Sequence, residues 1–358
     1  MTNPYAGLPE AAFYRTAVAD REPMQIGGLW KPKFPIRPHH AIVTAGSCFA
    51  QHIGRALLKN GYRWLDCEPA PRFLSAKERQ EFSYGIFSFR TGNIYTAKML
   101  LQWLTLAFEE ATPRWAGEYW ESDGRYFDPL RPRIEPDGFE SIDELEMSRQ
   151  ATLAAIRTAV EKAQVFVFTM GLTESWRNRD SGLEYAMCPG TGAGQFDASR
   201  HEFHNHSFAE ILKDMRQALA IMRAVSRRQK VLLTVSPVPL TATASGEHVL
   251  NATSHSKSIL RAVAGQLASS RKDIDYFPSY ELISSPPFRG RFFADNQRSV
   301  LPEGVDFVMR NFFADQQARF GAPVRRSPGA GRRPRRRMAG RAEDVRCEEE
   351  LLDAFASR

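Results

Sequence analysis

Thr44-Ala45-Gly46-Ser47-Cys48-Phe49-Ala50-Gln51-His52 is the stretch that decides the fold of this chain. It follows the short apolar run Ala41–Val43 and opens an apolar stripe that recurs every four residues as far as Leu57, which is typical of one face of a helix. Asn60-Gly61 then supplies a helix stop. The pattern therefore predicts a buried strand that turns into a helix at Ser47.

Ser47 is a candidate nucleophile because of this position. A small nucleophile on a strand-to-helix turn projects from the carboxyl edge of a sheet, where the free N–H groups of the helix start can receive an oxyanion. The competing interpretation makes Ser47 only the N-cap of the helix, which is a common place for serine. Cys48 is a second nucleophile by its chemistry, although a small buried residue in the first helical turn is the more common role of such a cysteine.

The composition is that of a soluble globular protein. Of the 358 residues, 43% are hydrophobic and 25% are charged, and no apolar run approaches the roughly 20 residues that a membrane helix needs. The N-terminus lacks the regions of a signal peptide, so we expect a cytoplasmic protein without membrane contact. The four cysteines form no Cys-x-x-Cys pair, and His39-His40 have no ligand partner at metal-site spacing. We therefore expect no metal, cofactor or disulfide framework.

The net charge of +7 is concentrated in the C-terminal tail. Residues 325–341 hold eight arginines and no acids, and residues 342–358 hold two arginines against six acids, so residues 1–324 carry only +3. A nearly neutral main domain argues against nucleic acid as the principal partner. We expect at most weak contacts between nucleic acid and the arginine-rich tail.

Strands and helices alternate along the rest of the chain. Apolar strands are predicted at Tyr62–Asp66, Val165–Thr169, Lys230–Ser236 and Asp275–Tyr280, and amphipathic helices at 97–110, 141–163, 207–226, 252–269 and 303–320. This order favours an α/β fold with a parallel sheet and helices on both faces, in which ligands bind at the carboxyl ends of the strands.

The sequence pattern divides the chain into three predicted parts. Residues 1–40 are an irregular N-terminal lead, and residues 41–320 form one α/β domain with a helical and irregular insertion at about 97–163. Residues 321–358 are rich in Arg, Pro and Gly, which is typical of a disordered tail, and their one candidate for a helix is the acidic stretch Glu348–Ala356.

Gly46-Ser47-Cys48-Phe49-Ala50 resembles the signature of the GSCFA family, a bacterial group that looks like a divergent branch of the SGNH (GDSL-like) esterases. The resemblance extends from about Ala41 to about Phe313. It implies a three-layer α/β/α domain with a mostly parallel, flavodoxin-like (SGNH hydrolase-like) sheet, and it makes Ser47 the nucleophile. Gly171-Leu172-Thr173-Glu174 looks like the GSCFA version of the superfamily's Gly-x-Asn motif, with Thr where Asn stands. Thr173 and Glu174 are therefore candidate site residues, and the alternative is that they only cap the following turn.

An acyl-transferring serine also needs donors for the oxyanion. The candidates are the N–H of Ser47 itself, Gly85 and Asn93. The last two resemble the Gly and Asn blocks of SGNH enzymes only loosely.

The general base is the least defined part of the site. SGNH enzymes place Asp-x-x-His just before the last helix, and the matching stretch here, Asn296-Gln-Arg-Ser299, has neither residue. Asp295 stands one position early and is a candidate to orient a base from elsewhere. His248, in the loop after the strand that ends at Ser236, is the first choice for that base. His204 and His206, which follow the strand that ends at Thr169, are the second.

Two functions from different classes follow. The first is a serine ester hydrolase or O-acyltransferase that uses an acyl–Ser47 intermediate on a small-molecule or carbohydrate ester or another polar acceptor. The second is a catalytically impaired SGNH-fold protein that serves as a carbohydrate-binding or regulatory module, and the missing Asp-x-x-His motif favours it.

Overall fold

A buried strand and a helix lie where the first stretch predicts them. In the computed structural model, which describes residues 3–109, 113, 115–323 and 347–356, Ile42–Gly46 is strand β1 and Phe49–Lys59 is helix α1. The apolar stripe of α1 is buried, and the helix ends at Asn60.

The remaining elements alternate along the chain. The strands are β2 (Trp120–Ser122), β3 (Arg125–Phe127), β4 (Val165–Met170), β5 (Glu174–Asn178), β6 (Glu184–Tyr185), β7 (His201–Asn205), β8 (Lys230–Val235) and β9 (Ile274–Tyr276). The helices are α2 (Ala76–Glu81), α3 (Ala97–Phe108), α4 (Ile142–Lys162), α5 (Phe208–Val225), α6 (Val249–Ser270), α7 (Ser279–Ser284) and α8 (Pro302–Phe320).

The central sheet is parallel, with the strand order β1-β4-β8-β9. The strand predicted at Tyr62–Asp66 is reduced to one parallel bridge between Trp64 and Ile42. Ile42 uses both its N–H and its carbonyl for this neighbour, whereas the carbonyl of Ala41 accepts from Val165 of β4. The bridge therefore lies on the outer side of β1, and the strand order reverses between β1 and β4, which is where open α/β sheets bind ligands.

Helices cover both faces of this sheet, because alternate strand residues point to opposite sides. Val43 and Phe166 lie in one apolar core with α3, α4, α5 and α6. Ile42 and Val165 lie in a second core with α1, α7 and α8. The fold is thus a three-layer α/β/α arrangement, as the sequence predicts.

The N-terminal lead packs against the second face. The ring of Trp30 lies 5.2 Å from the rings of Phe277 and Phe312, and its Nε1 donates to Asp275 Oδ2 at 3.1 Å. The lead therefore completes the layer that α1, α7 and α8 begin.

The segment at about 97–163, predicted as an insertion, contains α3 and α4, which pack into the first core, and β2 and β3, which form an antiparallel pair. The segment that follows Thr173, in which the sequence analysis predicts no strand, contains a three-stranded antiparallel sheet of order β6-β5-β7. This small sheet stands beside the carboxyl end of β4, because β5 begins four residues after that strand ends.

The C-terminal part of the chain contributes one described element beyond α8. Residues Glu348–Phe355 form a 3-10 helix, which we call the C-terminal segment together with Cys347 and Ala356. The arginine-rich stretch 325–341 lies outside the described residues. Within the parts of the chain that the structure describes, every helix is too short or too polar to cross a bilayer.

Candidate active site

The turn at Gly46-Ser47 is pressed against the neighbouring strand β4. Gly46 has φ +127°, and a Cβ placed on it would lie 2.3 Å from the carbonyl oxygen of Thr169. The N–H of Ser47 donates to the same carbonyl at 2.9 Å. Only glycine fits at position 46, and the Ser47 N–H, one of the predicted oxyanion donors, is already used in this ladder.

The hydroxyl of Ser47 is buried and has no hydrogen-bond partner among the described residues. The N-cap interpretation therefore fails, because a capping serine would accept from an N–H of the first turn. All eight histidines are described, and none of their ring nitrogens lies within hydrogen-bonding distance of Ser47 Oγ. A buried hydroxyl without a partner is uncommon in folded proteins and needs an explanation.

Residues 92–95 bridge the carboxyl ends of β1 and β4. The N–H of Ile94 donates to Gly46 O at 2.8 Å, and the carbonyl of Tyr95 accepts from Gly171 N at 2.9 Å and Leu172 N at 3.0 Å. A Cβ on Gly171 would lie 3.0 Å from Ser47 Cβ. The bridge therefore holds Asn93 next to the turn that carries Ser47.

Asn93 is the predicted oxyanion donor that the structure brings to this place. It is buried, and its Oδ1 accepts from Gln51 Nε2 of α1 at 3.2 Å. With Oδ1 occupied in this way, its Nδ2 donates to a carboxylate oxygen of Glu348. Gly85, the other predicted donor, lies in an exposed turn with φ +70°.

Lys257 of α6 places a buried amine on the other side of Gly171. Its Nζ donates to Gly171 O at 2.7 Å, and the residue is 1% exposed. Burial, only partly offset by nearby acidic groups, lowers its pKa to about 8. A lysine with such a pKa exchanges protons near neutral pH, which an ordinary lysine does not.

Thr173 and Glu174 follow β4 at the same edge. Thr173 is fully buried, and its N–H donates to Ser256 Oγ of α6 at 3.1 Å. Glu174 is half-buried, its Oε1 accepts from Thr243 Oγ1 at 2.8 Å, and burial raises its pKa. Glu174 also lines a cavity of about 400 Å³ whose wall is mostly apolar and aromatic, with Trp176, Tyr185, Phe196 and Phe203 among the lining residues.

The C-terminal segment covers this edge of the sheet. One carboxylate oxygen of Glu348 accepts from Asn93 Nδ2 and from Tyr95 Oη, the latter at 3.0 Å. The thiol of Cys347 lies near that of Cys48, and its Sγ is 3.8 Å from Tyr95 Oη. Leu352 and Phe355 contribute to the wall of the apolar cavity.

Arg298 holds the same segment from the opposite side. Its Nη2 lies 3.2 Å from Glu349 Oε2 and 3.4 Å from Cys347 Sγ, and its Nε donates to Pro239 O at 3.2 Å. Burial and the neighbouring Cys347 raise the pKa of Glu349 to about 8. Cys347 is buried too, but the neighbouring thiol of Cys48 and the nearby Arg298 lower the pKa of its thiol to about 6.

Comparison with known protein families decides what this arrangement is related to. The sequence model of the GSCFA family matches residues 41–312, which include Ser47, Asn93, Gly171, Lys257 and Arg298. The chain belongs to the GSCFA family. Comparison with curated proteins and with solved structures gives no significant match.

Other predicted residues of the GSCFA domain lie away from Ser47 Oγ. His248 is exposed and caps α6, since its Nδ1 accepts from Leu250 N at 3.2 Å. Asp295 is exposed in the turn before α8. His204 lies on β7, where its Nε2 is 3.0 Å from Glu210 Oε1. The structure therefore does not assemble the predicted group of Ser47, His248 and Asp295.

One group of side chains in the GSCFA domain has metal-ligand chemistry. Among the described residues, the candidate ligand atoms of His204, His206 and Glu210 lie within 4.8 Å of one another. Each histidine is already paired with a carboxylate, because His204 bonds Glu210 and His206 Nε2 lies 2.5 Å from the buried Glu184. These pairs satisfy the group without an ion.

The GSCFA sequence carries signals for two residues that sequence reasoning missed. Lys257 lies on the buried stripe of α6 with Leu260 and Ala264, so helical periodicity alone places a lysine in the core. Arg298 stands three residues after Asp295, which is the Asp-x-x-His spacing with arginine in the histidine position. The correspondence is missed when the motif is matched to Asn296-Gln-Arg-Ser299, one position later.

Proposed function

We propose that this chain is a serine ester hydrolase or O-acyltransferase that forms an acyl–Ser47 intermediate on an ester of a carbohydrate or another polar acceptor. The observation that carries the proposal is the buried hydroxyl of Ser47, which has no partner among the described residues and lies where the sheet order reverses. Family membership supports the same residue, since Ser47 lies in the signature Gly46–Ala50.

Lys257 is the general base in this proposal. The amine donates to Gly171 O, and Gly171 packs against Ser47 Cβ, so one residue separates base and nucleophile. Serine–lysine pairs perform the same chemistry as serine–histidine pairs on other folds. Catalytic hydrogen bonds are often long in the absence of substrate and shorten when it binds. The lack of a hydrogen bond between Lys257 Nζ and Ser47 Oγ is therefore consistent with this role.

The reaction has two steps. In the first, Ser47 Oγ attacks the ester carbonyl, its proton passes to Lys257, and Asn93 Nδ2 donates to the developing oxyanion. The leaving alcohol takes the proton from Lys257 as the acyl–Ser47 ester forms. In the second, water or an acceptor hydroxyl gives its proton to Lys257 as it attacks that ester, and Ser47 Oγ takes the proton back as it leaves with release of the acid or the new ester.

The cavity lined by Trp176 and Phe203 gives room for the apolar part of an acyl group or for a sugar face. The four cysteines are free, which fits a reducing compartment such as the cytoplasm. No step requires a group other than those of the protein and the substrate.

A second function is favoured by one observation, namely that arginine replaces histidine at the Asp-x-x-His spacing. On that basis the chain would be a catalytically impaired module that binds carbohydrate or regulates a partner. The two functions differ in whether Ser47 reacts covalently.

A fluorophosphonate probe tests the proposal. We expect it to label Ser47 of the full chain, as mapped by peptide mass spectrometry, and we expect the Ser47→Ala variant to remain unlabelled. Ser236→Ala is the matched control, since Ser236 is a buried serine at the end of β8 whose Oγ accepts from Val238 N. Labelling at another residue, or labelling that survives Ser47→Ala, contradicts the proposal.

A further inference from the structure

The C-terminal segment supplies the nearest carboxylates to three donors at the site. Asn93 and Tyr95 both donate to Glu348, and Arg298 forms its ion pairs with Glu349 and Glu350. Among the described residues, the ion-pair partners of Arg298 all come from this segment. Within the part of the chain that the structure describes, this arginine side chain, which is 11% exposed, is therefore paired only with Glu349 and Glu350.

In the proposed reaction, the carboxylate of Glu348 occupies the position of the product carboxylate. Asn93 Nδ2 is the oxyanion donor of the proposed reaction, and ester hydrolysis leaves a carboxylate on that donor. In the same segment, Leu352 and Phe355 come after the glutamates and lie in the wall of the apolar cavity. It thus combines an acidic head with an apolar body.

Arg298 adds a second anion-binding point beside the first. Its guanidinium is held in place by the bond from Nε to Pro239 O and by a turn in which Asn296 Oδ1 accepts from Arg298 N at 3.0 Å and Ser299 N at 2.9 Å. A guanidinium fixed in this way selects a carboxylate by geometry as well as by charge. The site therefore holds two carboxyl groups of the C-terminal segment, that of Glu348 at Asn93 and Tyr95 and that of Glu349 at Arg298.

We infer that the substrate's acyl group carries a second carboxylate, which Arg298 binds, and that the C-terminal segment occupies the same site as an internal product mimic. This inference rests on the proposed function, because it takes Asn93 as the oxyanion donor. The ligand class is an acidic ester with an apolar body, such as the monoester of a dicarboxylic acid. Ester substrates have to displace Glu348 and Glu349 before they reach Ser47.

Esterase kinetics test the substrate class and the displacement together. The matched substrates are the mono-p-nitrophenyl ester of adipic acid and p-nitrophenyl hexanoate, which differ by the distal carboxylate. We expect the full chain to prefer the adipate ester in kcat/KM by at least about tenfold, the worth of one charge-assisted hydrogen bond. The Glu348→Lys/Glu349→Lys variant should cleave both esters at least about tenfold faster than the full wild-type chain.

Three further variants separate binding from folding. Arg298→Met should remove the preference for the adipate ester through a higher KM, and Arg298→Lys should retain part of it. Asp353→Lys reverses a charge at an exposed position of the same segment and should leave both rates unchanged. Equal kcat/KM for the two esters in the wild-type chain, or no acceleration in the double variant, overturns the inference.

A binding measurement keeps this test separate from the test of the proposed function. A dye-labelled peptide of residues 347–356 should bind the full-length Glu348→Lys/Glu349→Lys variant by fluorescence anisotropy, and adipate should displace it. The same peptide with lysine at both glutamate positions should bind at least about tenfold more weakly. If no variant reacts with the fluorophosphonate probe, the proposed function fails, whereas absence of peptide binding overturns only this inference.

Discussion

Arg131 and Arg149 lie around Asp128 beside the first core, and Arg298 and Lys257 lie around Glu349 at the carboxyl edge of the sheet. In the first group, which we call the Asp128 cluster, the carboxylate contacts Arg131 at 3.0 Å and Arg149 at 2.8 Å. Burial alone would raise the pKa of Asp128, yet the two guanidinium groups hold it at about 2. The cluster is closed by residues of the domain itself.

In the second group, the Glu349 cluster, the effect of burial on the pKa values outweighs that of the neighbouring opposite charges. Burial and Cys347 raise the pKa of Glu349 to about 8, and burial lowers the pKa of Lys257 to about 8. Its acids come from the C-terminal segment, whereas its cations come from α6 and from the turn before α8. Strong shifts towards neutral pH are typical of functional sites, and a fixed ion pair such as that of Asp128 is typical of structure.

The largest effect on stability is expected from opening the Asp128 cluster. Asp128→Ala leaves two buried guanidinium groups without their counter-ion, so it should lower the free energy of unfolding by about 3–5 kcal/mol. Urea denaturation followed by circular dichroism measures this loss.

A substitution in the Glu349 cluster is the control for that experiment. Glu349→Ala should change the free energy of unfolding by less than about 1 kcal/mol, because the segment can leave and water can then reach Arg298. Equal losses in the two variants would show that both clusters are structural.

The next effect is expected on catalysis. Lys257→Met keeps the length of the side chain but removes the base, so the rate of ester cleavage should fall by at least about 10². The free energy of unfolding should fall by about 1–3 kcal/mol, because the buried Gly171 O loses its hydrogen-bond donor. A stopped assay on p-nitrophenyl hexanoate and a urea titration give both numbers, and a variant that loses stability without losing activity contradicts the assignment.

The pH dependence of docking is a smaller effect with a defined sign. Glu349 has a pKa of about 8 when docked against an ordinary 4.5, so the docked segment holds an extra proton and docking weakens as pH rises above about 4.5. Cys347 has a pKa of about 6 when docked against an ordinary 9, so docking strengthens as pH rises above about 6. The two trends cancel between about pH 6 and 8.

Peptide affinity measures this profile. The affinity of the 347–356 peptide for the Glu348→Lys/Glu349→Lys variant should fall by about tenfold per pH unit from pH 4.5 to 6 and then stay level to about pH 8. A steady fall across neutral pH would mean that Cys347 does not hold the negative charge beside Arg298.

Local periodicity explains why the sequence predicts much of the fold. The strand and helix around Ser47, the strand at Val165–Thr169 and the helices on both faces depend on patterns that neighbouring residues set. The strand at Tyr62–Asp66 shortens to one bridge, since Arg63 N–H donates to Pro38 O of the lead instead of extending the ladder. β7 was missed because its polar residues gain a partner strand only when β5 folds back beside it.

The site is predicted less completely because it is assembled from distant parts of the chain. Ser47 and Glu174 lie next to strand ends, where the sequence pattern predicts a site, whereas Asn93 lies in the segment 92–95 and is suggested only by its loose likeness to a block of SGNH enzymes. His248 makes no hydrogen bond with Ser47 Oγ in the structure. Because the Asp-x-x-His motif is absent, the prediction turned to other histidines and missed Lys257, the lysine on the buried stripe of α6. The contact of Glu348 with Asn93 joins residues 255 positions apart, and no local pattern predicts it.

The smallest expected effect is the change in the free energy of unfolding on removal of the Ser47 hydroxyl. Ser47 Oγ makes no hydrogen bond among the described residues, so Ser47→Ala removes no bond and should change the free energy of unfolding by less than about 0.5 kcal/mol. Ser279→Ala is the matched comparison, because the buried hydroxyl of Ser279 donates to Val235 O at 2.9 Å and its loss should cost about 0.5–1.5 kcal/mol. If Ser47→Ala destabilises the chain as much as Ser279→Ala, the hydroxyl has a structural partner and its lack of one no longer argues for catalysis. If it leaves stability unchanged and removes labelling, then the serine contributes to the reaction and not to the fold.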